Sequence, residues 1–248
     1  MKIVTNKFLI LLVAVFLNVH YFSAQLPQNR TTTTIVADAL AQLPAQRAKE
    51  YRQTMTALVG TGEQGLMAIL SMFDPAANND KLEFAVTGWT NFVASTADKK
   101  AQTAATYGKA LGMPLHKEVK QLVIRQLELI GDDSNVPQLA ALLSDDYLAA
   151  PAAQALANNG SPKAVEALLA ALPGAGKTKR ALYIVNALGH TGSQAAEPAL
   201  LELKKSGVSP ELLPVLNTAI SKTGSLQSVP VLKPEAFVAI TRIMGLTQ

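Results

Sequence analysis

The chain has 248 residues and a mass of 26.2 kDa, with 49% hydrophobic, 5% aromatic and 16% charged residues, no cysteine and a formal charge of +4. That apolar content excludes a disordered polypeptide, and few aromatics beside abundant alanine and leucine exclude an all-β sandwich. Without cysteine there are no disulfides, thiolate metal sites, cysteine nucleophiles or lipid-modified N-terminal cysteine.

Residues 1–24 have the parts of an export signal. Lys2 and Lys7 supply a positive start, Phe8 to Leu17 is an unbroken apolar run, and Ser23 and Ala24 are small residues at a cleavage point. The run is about half of the roughly 20 residues a spanning helix needs, which points to a cleaved signal rather than a stable membrane anchor. The expected address is periplasmic or extracellular. Removing this segment takes away two lysines and no acid, lowering the charge from +4 to +2. A charge that small, with no basic block, leaves no footprint for nucleic acid. Residues 25–34 (QLPQNRTTTT) are polar and read as a flexible lead-in.

From residue 35 to 248 the main signal is a repeat. Gly62, Gly131, Gly160, Gly192 and Gly224 stand in matching contexts, about one or two periods of some 30 residues apart. Four residues before each glycine are Leu58, Leu127, Leu156, Leu188 and Ile220. Five before are Ala57, Gln126, Ala155, Ala187 and Ala219, and eight after are Leu70, Leu139, Leu168, Leu200 and Leu232. Each glycine follows one segment with helical apolar spacing and precedes another, so each unit holds two helices. In the clearest unit, Val165, Leu168, Leu169 and Leu172 form the stripe of the first helix. Pro173 to Gly176 are expected to break it, and Leu182, Val185 and Leu188 form the stripe of the second. The glycine then closes the second helix in a left-handed conformation.

A hairpin of this length cannot bury its apolar face alone, so successive hairpins must stack. The predicted fold is all-α: a right-handed α-solenoid of six to seven antiparallel helix pairs following the signal. Residues 118–232 carry the repeat most clearly. Residues 80–111 lack the glycine expected near position 96 and read as a degenerate helix pair, with Phe84, Trp89, Phe92 and Val93 as its larger core residues. After Gly224 a seventh, incomplete unit begins; either Lys233 to Met244 caps the stack or the sequence is a piece of something longer.

The segments VPQLAALL, AVEALLAAL and EPALLEL, with QALANNGS and NALGHTGS, resemble short bacterial HEAT repeats of the phycocyanobilin-lyase-like type. This resemblance implies an armadillo-type helical scaffold that binds other proteins. More loosely, the layout resembles the N-terminal helical region of exported bacterial proteins that continue into a 3-keto-disaccharide hydrolase-type domain. That likeness implies an accessory role beside a carbohydrate-active domain.

The apparent chemical motifs do not assemble into a site. Pro173 to Thr178 resembles the end of a phosphate loop, but Ala171 stands where the pattern needs glycine, and the loop joins two helices instead of following a strand. His116 and His190 are far apart and outside any metal-ligand spacing. Asp132-Asp133 and Asp145-Asp146 precede helical segments, where carboxylates cap. No catalytic residue, cofactor or metal is therefore expected, and the chain reads as a non-enzymatic module.

The second helices of such a stack are expected to line its concave side. There Lys179, Arg180, Tyr183 and Asn186 occupy the face opposite Leu182, Val185 and Leu188, while Arg125 and Gln154 align with Asn186. These six residues are the candidate surface for a protein partner or a neighbouring domain.

The register makes Leu188 a core residue of its own unit and of both neighbours. Leu188→Ala is expected to cost about 2–5 kcal/mol in urea denaturation, the range for buried leucine truncations. A loss below about 0.5 kcal/mol, the range of surface substitutions, would rule out the register.

Overall fold

The computed structural model describes residues 30–176 and 178–225. The export signal, most of the seventh unit and Lys177 lie outside the described residues. Twelve α-helices occur among those residues: α1 (Thr32–Ala41), α2 (Ala48–Gly60), α3 (Gly62–Ser71), α4 (Asp80–Val93), α5 (Ala97–Leu111), α6 (Lys117–Ile130), α7 (Val136–Ala141), α8 (Ala149–Asn159), α9 (Pro162–Ala175), α10 (Lys179–Thr191), α11 (Glu197–Lys205) and α12 (Leu212–Ser225). Short 3-10 turns at Asp133–Asn135 and Gln194–Ala196 lead into α7 and α11, and another at Leu142–Ser144 follows α7. No strand occurs among the described residues.

Odd-numbered helices are the first helices of the pairs and even-numbered ones the second. Each helix packs on its hairpin partner, and second helices pack on the second helix of the next unit, as α6 on α8, α8 on α10 and α10 on α12. The chain is thus an all-α solenoid, described through six pairs. The register positions behave as the spacing requires. Leu58, Leu127, Leu156 and Leu188 are buried, as are Leu70, Leu139, Leu168 and Leu200 eight residues after their glycines. The exceptions are Ala57, which is exposed on α2, and Ile220, which is half-buried on α12.

Residues 80–111 do form two helices, but they belong to different units: α4 completes the pair begun by α3, and α5 opens the pair completed by α6. Trp89 and Val93 fill the core there and Phe92 is half-buried, but Phe84 is exposed, edge-on to Tyr51 with ring centroids 6.4 Å apart. The large residue missing from the sequence reading is Tyr107. It is fully buried, with its hydroxyl 2.8 Å from Thr90 Oγ1, and burial raises its pKa above the ordinary tyrosine value. Trp89 Nε1 donates to Thr103 Oγ1 at 3.1 Å. The larger aromatics can be buried here because their polar ends find partners in the adjoining helix.

Three boundaries differ from the sequence expectation. The lead-in turns helical at Thr32, because Thr31 Oγ1 accepts a hydrogen bond from Thr34 N at 3.2 Å and caps α1. Helix α9 runs through Pro173 to Ala175: Leu172 and Ala175 are buried on either side of the exposed proline, and their burial holds a turn that loses one hydrogen bond. Gly160 and Gly192 close their helices in the left-handed region (φ 64° and 62°), but Gly131 has φ −63°. At Gly131 the Asp132 carboxylate caps the following turn, and a Cβ would fall 2.5 Å from the Leu127 carbonyl oxygen.

Neighbouring units are also tied by bonds reaching back roughly one period. Asn135 Nδ2 donates to the Ala104 carbonyl at 2.9 Å, Lys163 Nζ to the Asp133 carbonyl at 3.1 Å, and Arg180 Nη1 to the Ser144 carbonyl at 2.5 Å. Of these, the Asn135 bond is fully buried and therefore costly to break.

The closest approach in the stack is between α10 and α12, where a Cβ on Gly189 would fall 2.8 Å from both Cα and Cβ of Ala219. Gly189→Ala is expected to lower the melting temperature, because overpacking of about 1–3 kcal/mol outweighs the roughly 1 kcal/mol gained in helix propensity. Gly60→Ala, with open space around its Cβ position, should leave stability unchanged or slightly raised. A Gly189→Ala protein melting at or above the parent would show that the two helices separate without cost.

Candidate binding surface

Successive second helices from α6 onward meet more closely than successive first helices. The reason lies five residues before each closing glycine, where Ala155, Ala187 and Ala219 are buried. Short residues bring the helix axes together, whereas the first helices meet through leucines at a wider spacing. The contacts between successive second helices make their outer faces a shared surface.

Three rows of side chains cross that surface at helical spacing. Nine residues before the closing glycines stand Leu122, Pro151, Tyr183 and Val215, all half-buried. Six before stand Arg125, Gln154, Asn186 and Thr218, of which all but half-buried Gln154 are exposed. Two before are Leu129, Asn158 and His190, with Leu129 62% exposed. An apolar row is thus flanked by a hydrogen-bonding row, with one isolated leucine outside it.

Of the six candidate residues, Arg125, Gln154, Tyr183 and Asn186 share this surface, and exposed Lys179 lies at its edge on the first turn of α10. Gln154 Nε2 donates to Asn158 Oδ1 at 2.8 Å, so the two rows are bonded to each other on α8. Arg180 departs from the expectation. It stands twelve residues before Gly192, where the units closed by Gly131, Gly160 and Gly224 carry buried Val119, Leu148 and Leu212 and the unit closed by Gly62 carries exposed Glu50. Its stem takes that inward position and its guanidinium emerges against the preceding unit, on the Ser144 carbonyl and 3.5 Å from Asp146 Oδ1. Arg180 is therefore an arginine that snorkels out of a core position, and it holds units together. From α6 onward the repeat register carried this signal, because the residues aligned there are aliphatic.

The rows of Leu122, Pro151 and Val215 were missed because none is charged or aromatic, and each looks like ordinary core until its half-burial is seen. The acid pairs act as caps. Asp132 Oδ1 accepts from Ser134 N, and Asp145 Oδ1 accepts from Tyr147 N at 2.8 Å and Leu148 N at 3.0 Å. The hydrogen bond from Tyr147 N, with that from Leu148 N and Lys117 nearby, holds the Asp145 carboxyl below its ordinary pKa. Burial pushes the Glu128 carboxyl up on α6, partly offset by Arg125.

No group of three or more His, Cys, Asp or Glu side chains able to hold a metal occurs among the described residues. His116 precedes α6 as its cap residue without a side-chain bond, and His190 lies exposed in the last turn of α10. No described helix is long and apolar enough to cross a membrane. Two hollows open between first helices instead of on the second-helix face. One, of about 300 Å³, lies above Trp89 between α3 and α5; the other, of about 520 Å³, lies between α9 and α11.

The position of Arg180 generates a paired test. Arg180→Leu, which restores the residue type of the register, is expected to keep stability within about 1 kcal/mol, because apolar replacement of a charge-bearing inward side chain is usually tolerated. Arg180→Ala empties the stem's space and is expected to cost about 1–3 kcal/mol. If Arg180→Leu proves the more damaging in thermal melts, the guanidinium contacts and not the stem hold α10 in place.

Comparison with known proteins agrees with the geometry in one segment. No curated protein matches the chain. Residues 152–172, which run from α8 through the Gly160 turn into α9, match the family described as PBS lyase HEAT-like repeat. Residues 152–172 are thus similar to a HEAT-like repeat, and the neighbouring helix pairs carry the same register.

Proposed function

We propose that this protein is an exported, non-catalytic scaffold that holds a protein partner, or a neighbouring domain, against its second-helix face. HEAT-like repeats are a protein-interaction architecture, and a repeat stack offers one extended surface in which each unit contributes an equivalent set of side chains. The observation that carries the reading is the continuous half-buried row of Leu122, Pro151, Tyr183 and Val215 beside the row of Arg125, Gln154, Asn186 and Thr218. An apolar strip bordered by hydrogen-bonding groups suits a protein segment lying across several units, with apolar contacts supplying affinity and amide and guanidinium groups fixing orientation. Tyr183 is the natural anchor, since tyrosine buries a large ring at low entropic cost and retains a polar tip. Export rests on the reading of residues 1–24 as a signal.

The test is a pull-down from the envelope fraction with residues 25–248, followed by titration of the retained protein. Tyr183→Ala is expected to weaken binding at least tenfold and Arg125→Ala to weaken it less, both with unchanged melting temperature. Glu166→Ala, exposed on the first-helix side, should bind like the parent. Equal binding by Tyr183→Ala and the parent, or loss confined to Glu166→Ala, would reject this face.

A further inference from the structure

The hollow between α9 and α11 is lined by none of the residues of the proposed partner surface. Twelve residues after the glycine, the first-helix end carries buried Leu143 in one unit and buried Leu172 in the next. In the following unit that position is Lys204, which is exposed. Leu172 itself lines the gap toward α11, and α11 ends after nine residues where α9 continues for fourteen. The chain then loops through Gly207, at φ 81°, to the start of α12. What remains is a recess of about 520 Å³, within the range of small-molecule sites, walled by Leu169, Leu172, Pro173, Leu203, Val208 and Leu212.

The polar groups on its wall already have partners. Ser206 Oγ donates to the Leu203 carbonyl at 2.8 Å, and Ser209 Oγ accepts from Leu212 N at 3.4 Å and also serves the Glu211 carboxylate. Glu202 is the one ionisable side chain lining the recess, and Lys205 stands 3.8 Å from it. Backbone N–H groups at the rim are used as well, Ser206 N on the Glu202 carbonyl and Gly207 N on the Lys204 carbonyl. The wall is mostly apolar, and the Glu202 side chain at its edge is 76% exposed to solvent. A charged ligand would lose hydration there and gain no compensating partner, whereas a neutral apolar ligand loses only unfavourable contact with water.

We infer that this recess is a binding site for a small uncharged apolar molecule, recognised by shape and burial on the first-helix side of the stack. The site is separate from the proposed partner surface, and neither reading depends on the other.

Titration of the full chain with Nile red, a neutral apolar dye, tests the inference. One saturable site with blue-shifted emission is expected. Ala199→Trp, which projects an indole into the recess from half-buried Ala199 on α11, should weaken binding at least tenfold at unchanged melting temperature. Tyr183→Ala, outside the recess, should bind dye like the parent. Absence of a saturable site, or equal binding by Ala199→Trp and the parent, overturns the inference. So does dye binding that rises at least tenfold on Phe237→Ser, which would show the chain's own C-terminal segment in the recess. Dye binding that falls as protein concentration rises would place a second copy there, and would overturn it too.

Discussion

The spacing between successive second helices is the constraint from which the rest of this structure follows. It is set by very small residues, Ala155, Ala187 and Ala219 at one register position and Gly189 facing Ala219. At that distance there is no room for another methyl group, so the layer cannot slide or widen without losing contact along its length. The first helices, meeting through leucine, stand farther apart. The contacts along the second-helix layer bring the outer faces of α6, α8, α10 and α12 together as one surface.

The unit closed by Gly131 shows what happens when the small position is lost. Gln126 occupies it, 4% exposed, with Nε2 on the Leu122 carbonyl at 3.3 Å and Oε1 without a hydrogen-bond partner among the described residues. An amide needs more room than a methyl group, and α6 accordingly meets α4 less closely than it meets α8. An unsatisfied buried acceptor costs about 1–3 kcal/mol, so this seam is held together by other contacts. Asn135 is among them. It stands where the following units have Ala164 and Ala196, and it is satisfied at both ends, accepting from Asp132 N and donating to the Ala104 carbonyl. On the N-terminal side of this seam Trp89 and Tyr107 fill the core with aromatic volume; on the other side alanine and leucine suffice.

The recurring glycines made the hairpins, their number and their core leucines legible in the sequence, because those positions answer to local backbone geometry and to one period of burial. The phase of the divergent region was not legible. With no glycine near 96, nothing marked α4 and α5 as members of different units, and Phe84 could not be told from Trp89 without knowing which face of α4 was covered. The surface was legible in part. Exposed Asn186 and Arg125 follow from helical spacing, but Arg180 shows the limit of charge as a guide: its guanidinium reaches solvent while its stem sits in the position of Val119, Leu148 and Leu212. The half-buried row could not be read at all, because half-burial depends on how far neighbouring units separate, which no single unit records.

The two layers thus have different consequences for binding. Where helices are close, side chains from adjacent units merge into rows, and specificity can be distributed over several units by small changes at equivalent positions, such as Gln154 to Asn186 to Thr218. Where they are far apart, each inter-helix gap has its own lining, and a change at one position alters one gap alone. Leu143 and Leu172 are buried at the ends of their helices, and a recess remains between α9 and α11. A repeat protein can therefore change an extended surface and a local recess independently, because the rows and the recess share no residue. The short residues at 155, 187 and 219 make that independence possible, since they hold the tight layer fixed whichever gap is altered.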